Sequence, residues 1–277
     1  MTFDLVASTG RTATTFLASA LNDLDDVCAC HEGYAGSDKA LDPLLPLINL
    51  ENAQSYALPA AAARVVAAKR SPEVLTAAMA ENGASRLIDL AYYNATLASA
   101  LLRHHPDSRM IGIIRGCESF VRSATTLEGE DPLPVGWPDP AKPMTDREKF
   151  ISMGRIRPRK GSPAKADWER WSAIRRNIWL WYETNLMLLA AQEEFPERVR
   201  LCRFETFKMA PRSFWVVVAD LFDLKVVAEG PKTDHGHARN EKPAGYQVGP
   251  KSDWTIAEQT ALERAQTIID ERARYAC

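Results

Sequence analysis

FDLVASTGRTATTFLASAL (residues 3–21) decides the fold. Phe3, Leu5 and Val6 suit a buried strand. The apolar run then breaks at Ser-Thr-Gly-Arg-Thr, and Phe16, Leu17, Ala20 and Leu21 recur at helical spacing. That order is strand, tight loop, helix. Gly10 supplies the turn, and the helix opening behind Thr14 and Thr15 presents backbone N–H groups and the positive end of its dipole. With the hydroxyls of Thr12, Thr14 and Thr15 and the cation of Arg11, the loop is expected to hold a phosphate-sized anion.

No Gly-Lys-Ser/Thr follows a glycine at the spacing a nucleoside-triphosphatase loop requires, which weighs against a nucleotide kinase and leaves it as a rival. The stretch Arg11-Thr12-Ala13-Thr14-Thr15-Phe16 resembles the 5′-phosphosulfate loop of sulfotransferases that use 3′-phosphoadenosine 5′-phosphosulfate (PAPS). In that loop Arg or Lys precedes Ser/Thr-Gly-Thr-Thr and a bulky residue. Ala13 stands where the family has glycine, so the turn needs a different dihedral or a looser approach to the phosphate.

A second segment, MIGIIRGCESFVR (residues 110–122) with Ser123 following, reads as another strand entering a loop and helix. It resembles the family's 3′-phosphate motif, in which an arginine ending a strand is followed eight positions later by a serine. Arg115 and Ser123 have that spacing, although Gly116 and Cys117 replace the common Asp-Pro. A guanidinium offers a planar fork to a phosphate dianion, and a serine two helical turns on adds a hydroxyl. The resemblance implies cofactor contacts from Gly10, Arg11, Thr12, Ala13, Thr14, Thr15, Arg115 and Ser123. The stretch RNEK at 239–242 sits where the family places a late basic segment, which adds Arg239 and Lys242.

Apolar runs at 3–8, 26–30, 86–90, 110–114 and 199–204 alternate with helical periodicity near 14–22, 72–82, 93–104, 117–126 and 168–194. This predicts an α/β fold: a parallel sheet covered by helices in three layers, like the P-loop-type sulfotransferase fold. The 277 residues, 46% of them hydrophobic, are expected to form one domain. Residues 128–166, rich in Pro, Gly and charge, read as an inserted loop or lid. Within it RIRPRKGSPAK is either a solvated loop or a grip for an anionic cofactor or acceptor. Trp168, Trp171, Trp179 and Trp181 give the long helical stretch a broad apolar face, and Phe204-Glu205 resembles the family's Tyr-Glu pair, with Glu205 expected to be structural.

A formal net charge of -2 offers no global attraction to nucleic acid or to an acidic membrane surface, so neither partner is expected. No basic-then-apolar leader and no bilayer-length apolar run is present. Cytoplasmic residence, with the five scattered cysteines as free thiols, is the expectation.

Sulfuryl transfer needs a base for the acceptor's proton and positive charge on the departing phosphate. By resemblance Arg11 supplies the charge and Glu32, at the end of CACHEGY, the base; His31 is the second candidate. If the strand persists, those two side chains point to opposite faces. Cys28-x-Cys30-His31 lacks the spacing of a zinc finger or ribbon, and no metal is expected. The acceptor is expected to be a small molecule or carbohydrate. A non-catalytic module that binds PAPS or phosphate is the rival from outside enzymology.

Overall fold

The computed structural model describes residues 1–35, 42–125, 136–225 and 248–277. The chain opens with β1 (Thr2–Ser8), α1 (Thr14–Leu21), β2 (Val27–His31) and the two-residue β3 (Tyr34–Ala35). Three helices follow, α2 (Leu50–Ala57), α3 (Pro59–Lys69) and α4 (Pro72–Glu81), each of the last two starting on the proline that an N-terminus tolerates. Next come β4 (Arg86–Ala91), α5 (Tyr93–His104), β5 (Met110–Ile114) and α6 (Cys117–Ala124). The region predicted as an insertion carries α7 (Asp146–Met153) and α8 (Pro163–Asp167) among its described residues. The chain continues through α9 (Ala173–Glu194), β6 (Val199–Arg203), α10 (Phe204–Met209), α11 (Pro211–Phe222) and α12 (Ile256–Arg272).

The sheet order is β3-β2-β4-β1-β5-β6, with every pairing parallel except the β2–β3 hairpin. Alternation along the strands feeds two cores. Phe3, Leu5 and Ala7 join the layer built by α3, α5, α6, α9 and α12, while Val6, Ile88, Leu90, Ile111 and Ile113 face α1, α10 and α11. This is the predicted three-layer α/β architecture. All five predicted strands are present within a residue or two.

The long helix differs from its prediction. Residues 168–170 form a separate 3-10 turn, Trp171 is extended, and α9 starts afresh at Ala173. The Ser172 hydroxyl accepts from the Arg175 N–H, an N-cap that an unbroken helix has no place for. β3 also goes beyond the prediction: His31 pairs with Tyr34 across Glu32 and Gly33, both at positive φ (53° and 91°) as a type I′ hairpin turn requires. A Cβ on Gly33 would lie 2.9 Å from the Leu45 carbonyl oxygen, so only glycine fits the second place. Glutamate at the first is unusual, since that place ordinarily selects Asn, Asp or Gly.

Candidate functional site at the carboxyl edge of the sheet

β1 is central, with β4 on one side and β5 on the other, so the loops leaving all three open along one edge. The β1–α1 loop is wound tightly. Gly10, Arg11 and Ala13 have φ of 82°, 58° and 56°. For Arg and Ala this region costs about 1–2 kcal/mol each. Ala13 thus keeps a left-handed conformation that glycine adopts freely, and is under strain in it. Ala13 is also the N-cap of α1 and has no side chain with which to cap it. The first turn of α1 therefore retains the anion affinity of a helix N-terminus.

Ser8, the last residue of β1, shapes the loop. Its buried hydroxyl accepts from the Gly10 N–H (3.0 Å) and from Thr12 Oγ1 (2.8 Å). Thr12 is fully buried, so its hydroxyl is turned into the loop. Thr14 is buried and Thr15 half-buried at the start of α1. Sequence reasoning passed over Ser8. Its only signal is a polar residue ending an apolar strand.

Loop and second motif meet directly. Arg11 Nε donates to Ser123 Oγ (2.9 Å), and Arg115 Nη1 donates to the Arg11 carbonyl oxygen (2.7 Å). Arg115 also donates through Nε to Ser119 Oγ (2.9 Å), its guanidinium carbon lies 5.1 Å from the centre of the Phe204 ring, and its carbonyl accepts from Trp181 Nε1 (2.7 Å). Ser123 is buried against Arg11. Glu205 accepts from the Gly116 N–H at 3.0 Å, which holds the start of α6 against α10. Ser119 was not anticipated: the eight-residue spacing draws attention to Ser123, yet a serine one helical turn after Arg115 reaches the guanidinium first.

His31 and Glu32 are separated by the end of the strand rather than by its two faces. β2 stops at His31, whose Nε2 lies 3.4 Å from Thr15 Oγ1 on α1. Glu32 sits in the hairpin turn, its N–H donating to the Leu90 carbonyl (3.1 Å). Its charge is felt at Tyr92, where burial first and Glu32 second push the phenol above its usual range. Beneath the turn, the fully buried pair Arg70 and Asp89 (3.0 Å) fixes the end of β4, with Arg70 also donating to Tyr93 Oη (2.9 Å). Arg239 and Lys242 lie outside the described residues. Among the described residues no group of three or more metal-ligating side chains comes together, and no helix is long and apolar enough to cross a membrane.

No family model matches the chain and no curated protein matches it by sequence. Ten solved chains resemble it, two sulfotransferases among them. One is a sulfotransferase domain from the curacin biosynthetic pathway, 14% identical, with a TM-score of 0.42 over 82% of this chain and 76% of that one. The other is a sulfotransferase from Alicyclobacillus acidocaldarius, 12% identical, with a TM-score of 0.49 over 97% of this chain and 95% of that one.

Proposed function

We propose that the chain is a PAPS-dependent sulfotransferase, a single cytoplasmic domain with 128–166 inserted, acting on a hydroxyl or amine of a small-molecule or carbohydrate acceptor. The observation that carries this is the junction of Arg11, Ser123 and Arg115. Two motifs about a hundred residues apart, each resembling a different phosphate site of one nucleotide, are hydrogen-bonded to each other. The uncapped N-terminus of α1 supports the fit of an anion to the first of them.

PAPS supplies the activated sulfuryl group. In this reading Gly10, Arg11, Thr12, Ala13, Thr14 and Thr15 form the 5′-phosphosulfate cradle, Thr12 by fixing its shape through Ser8. Arg115 and Ser123 serve the 3′-phosphate, joined by Arg239 and Lys242. Arg11 stabilises the negative charge that grows on the departing phosphate oxygen, an electrostatic role worth most in the transition state. Glu32 accepts the acceptor's proton, and His31 holds Thr15. The strain at Glu32 supports its role, because Asn or Gly would suit the turn better and neither can act as a base.

Transfer of label from PAPS carrying radioactive sulfur to an acceptor panel, read by product mass, tests the proposal. Transfer of the γ-phosphate of ATP instead would make the chain a kinase. Tight binding of adenosine 3′,5′-bisphosphate with neither transfer would make it a binding module.

A further inference from the structure

The stretch RIRPRKGSPAK (residues 155–165) carries five cations and no acid in a chain whose net charge is -2. Its first half alternates. Ile156 and Pro158 are buried, whereas Arg157 and Arg159 are exposed, the pattern of an extended segment with one face inward. The guanidinium carbon of Arg157 lies 4.7 Å from the centre of the Trp137 ring, and that of Arg159 lies 4.5 Å from the centre of the Tyr56 ring. Arg159 Nε also donates to the Tyr56 carbonyl at 3.1 Å.

Both rings are fixed. Trp137 packs edge-on against Trp168 at 5.2 Å and Tyr56 edge-on against Trp179 at 6.1 Å, inside one buried aromatic cluster. The two cations are therefore held in place by π faces, and among the described residues neither is in an ion pair. Of the nearby acids, Glu183 accepts from Tyr56 Oη (2.9 Å), and Glu169 lies 3.7 Å from Lys165 and 3.6 Å from Arg176 while its charge also reaches Arg157. Partial desolvation, on the side packed against the Trp137 ring, holds Arg157 below the usual arginine range although its outer side is exposed, the direction an incoming anion would reverse. The segment is anchored beside the site. Asn52 Nδ2 donates to the Gly154 carbonyl (2.8 Å), and the charge of Arg155 acts on Tyr92, the phenol that also feels Glu32.

We infer that Arg157 and Arg159 grip a fixed anionic group, a carboxylate, sulfate or phosphate, carried by the acceptor. This rests on the sulfotransferase reading for the word acceptor, but the grip can be measured without turnover. A purely structural role for these arginines needs their contact with the rings and not an anion.

The test is calorimetric titration of the whole chain with cellotetraose and with its C6-oxidised counterpart, glucuronotetraose, which differ in the four carboxylates. The acidic sugar is expected to bind at least tenfold more tightly at low salt, an advantage that collapses at 0.5 M salt. Arg157→Gln with Arg159→Gln should remove it with an unchanged melting temperature, and the double lysine variant should keep much of it. Equal affinity for the two sugars, no binding of either, or an advantage that survives the glutamine pair overturns the inference. So does an advantage that disappears in Arg11→Met instead, since the anion would then sit in the phosphate loop. Adenosine 3′,5′-bisphosphate, titrated in parallel, separates the two failures. If it does not bind and the acidic sugar is still preferred, the donor assignment falls and the grip stands.

Discussion

The two ends of the sheet treat backbone strain and charge in opposite ways. At the amino end, Asp26 sits at a φ of 67° and accepts from the Ser85 N–H at 2.9 Å, while Asp4 receives the Arg109 N–H (2.9 Å) and pairs with Arg86. At the carboxyl end, the described non-glycine residues with positive φ are Arg11, Ala13 and Glu32. Aspartate visits the left-handed region readily because its side chain bonds locally; arginine, alanine and glutamate have no such relief. The amino end thus uses residues suited to their conformations and closes its charges on each other. The carboxyl end keeps residues unsuited to theirs, and on the proposed function chemistry is the reason to keep them.

The comparison breaks most sharply at Glu32. Glu32→Asn should suit the turn and raise stability by about 0.5–1 kcal/mol in a urea melt, yet lower turnover by about 10²–10⁴-fold. Glu32→Gln should lose turnover to the same degree without the gain. If Glu32→Asn retains activity and His31→Ala loses it, the base is His31.

Arg115→Ala sharpens the distinction between holding the loop and holding a phosphate. Loss of a 3′-phosphate contact should cost about 2–3 kcal/mol, roughly a hundredfold, in affinity for adenosine 3′,5′-bisphosphate and leave adenosine 5′-phosphate little changed. Calorimetry showing both nucleotides weakened equally would mean that Arg115 acts only through its bond to the Arg11 carbonyl.

At the amino end the expected effect is on stability alone. Burial first raises the Asp4 carboxyl from the usual 3.8 to about 6, so the native state holds that proton more tightly than the unfolded chain does. The stability this group contributes is complete below pH 4 and is lost as the pH rises through about 6. The difference is on the order of 2–3 kcal/mol. Denaturation midpoints of wild type and Asp4→Asn between pH 4 and 7 should diverge across that window with turnover unaffected in kind. Parallel curves would show that Asp4 titrates normally.

The smallest effect is expected at Ala13. Glycine there should relieve about 1–2 kcal/mol of strain against about 0.5–1 kcal/mol of added unfolded-state entropy, a net gain near 0.5 kcal/mol. A destabilised Ala13→Gly variant would show that the turn is not strained.

Strands were legible because a parallel sheet buries both faces, so β1, β4 and β5 read as apolar runs without alternation. β3 was not, being two residues long and defined by its pairing. α12 begins with a Thr255–Glu258 capping box, and the periodicity reading passes over it because its apolar face is thin. The β1–α1 loop was legible through residue types, Gly, Arg and Thr in order. What distinguishes its members was not: Thr12 faces inward through Ser8, a contact four residues back that no spacing rule singles out. That Glu32 opens a hairpin turn was not legible, because Glu-Gly is a weak turn signal beside Asn-Gly.

The bond from Arg11 to Ser123 spans 112 residues of sequence. During synthesis at 5–20 residues per second, the β1–α1 loop leaves the ribosome roughly 5–20 s before the helix that will hold it. Until β5 pairs with β1, Ser123 and Arg115 are not in place beside Arg11, and the local bonds to Ser8 are what the loop has to hold its left-handed turns. On the proposed function, nucleotide binding therefore has to wait until the centre of the sheet closes.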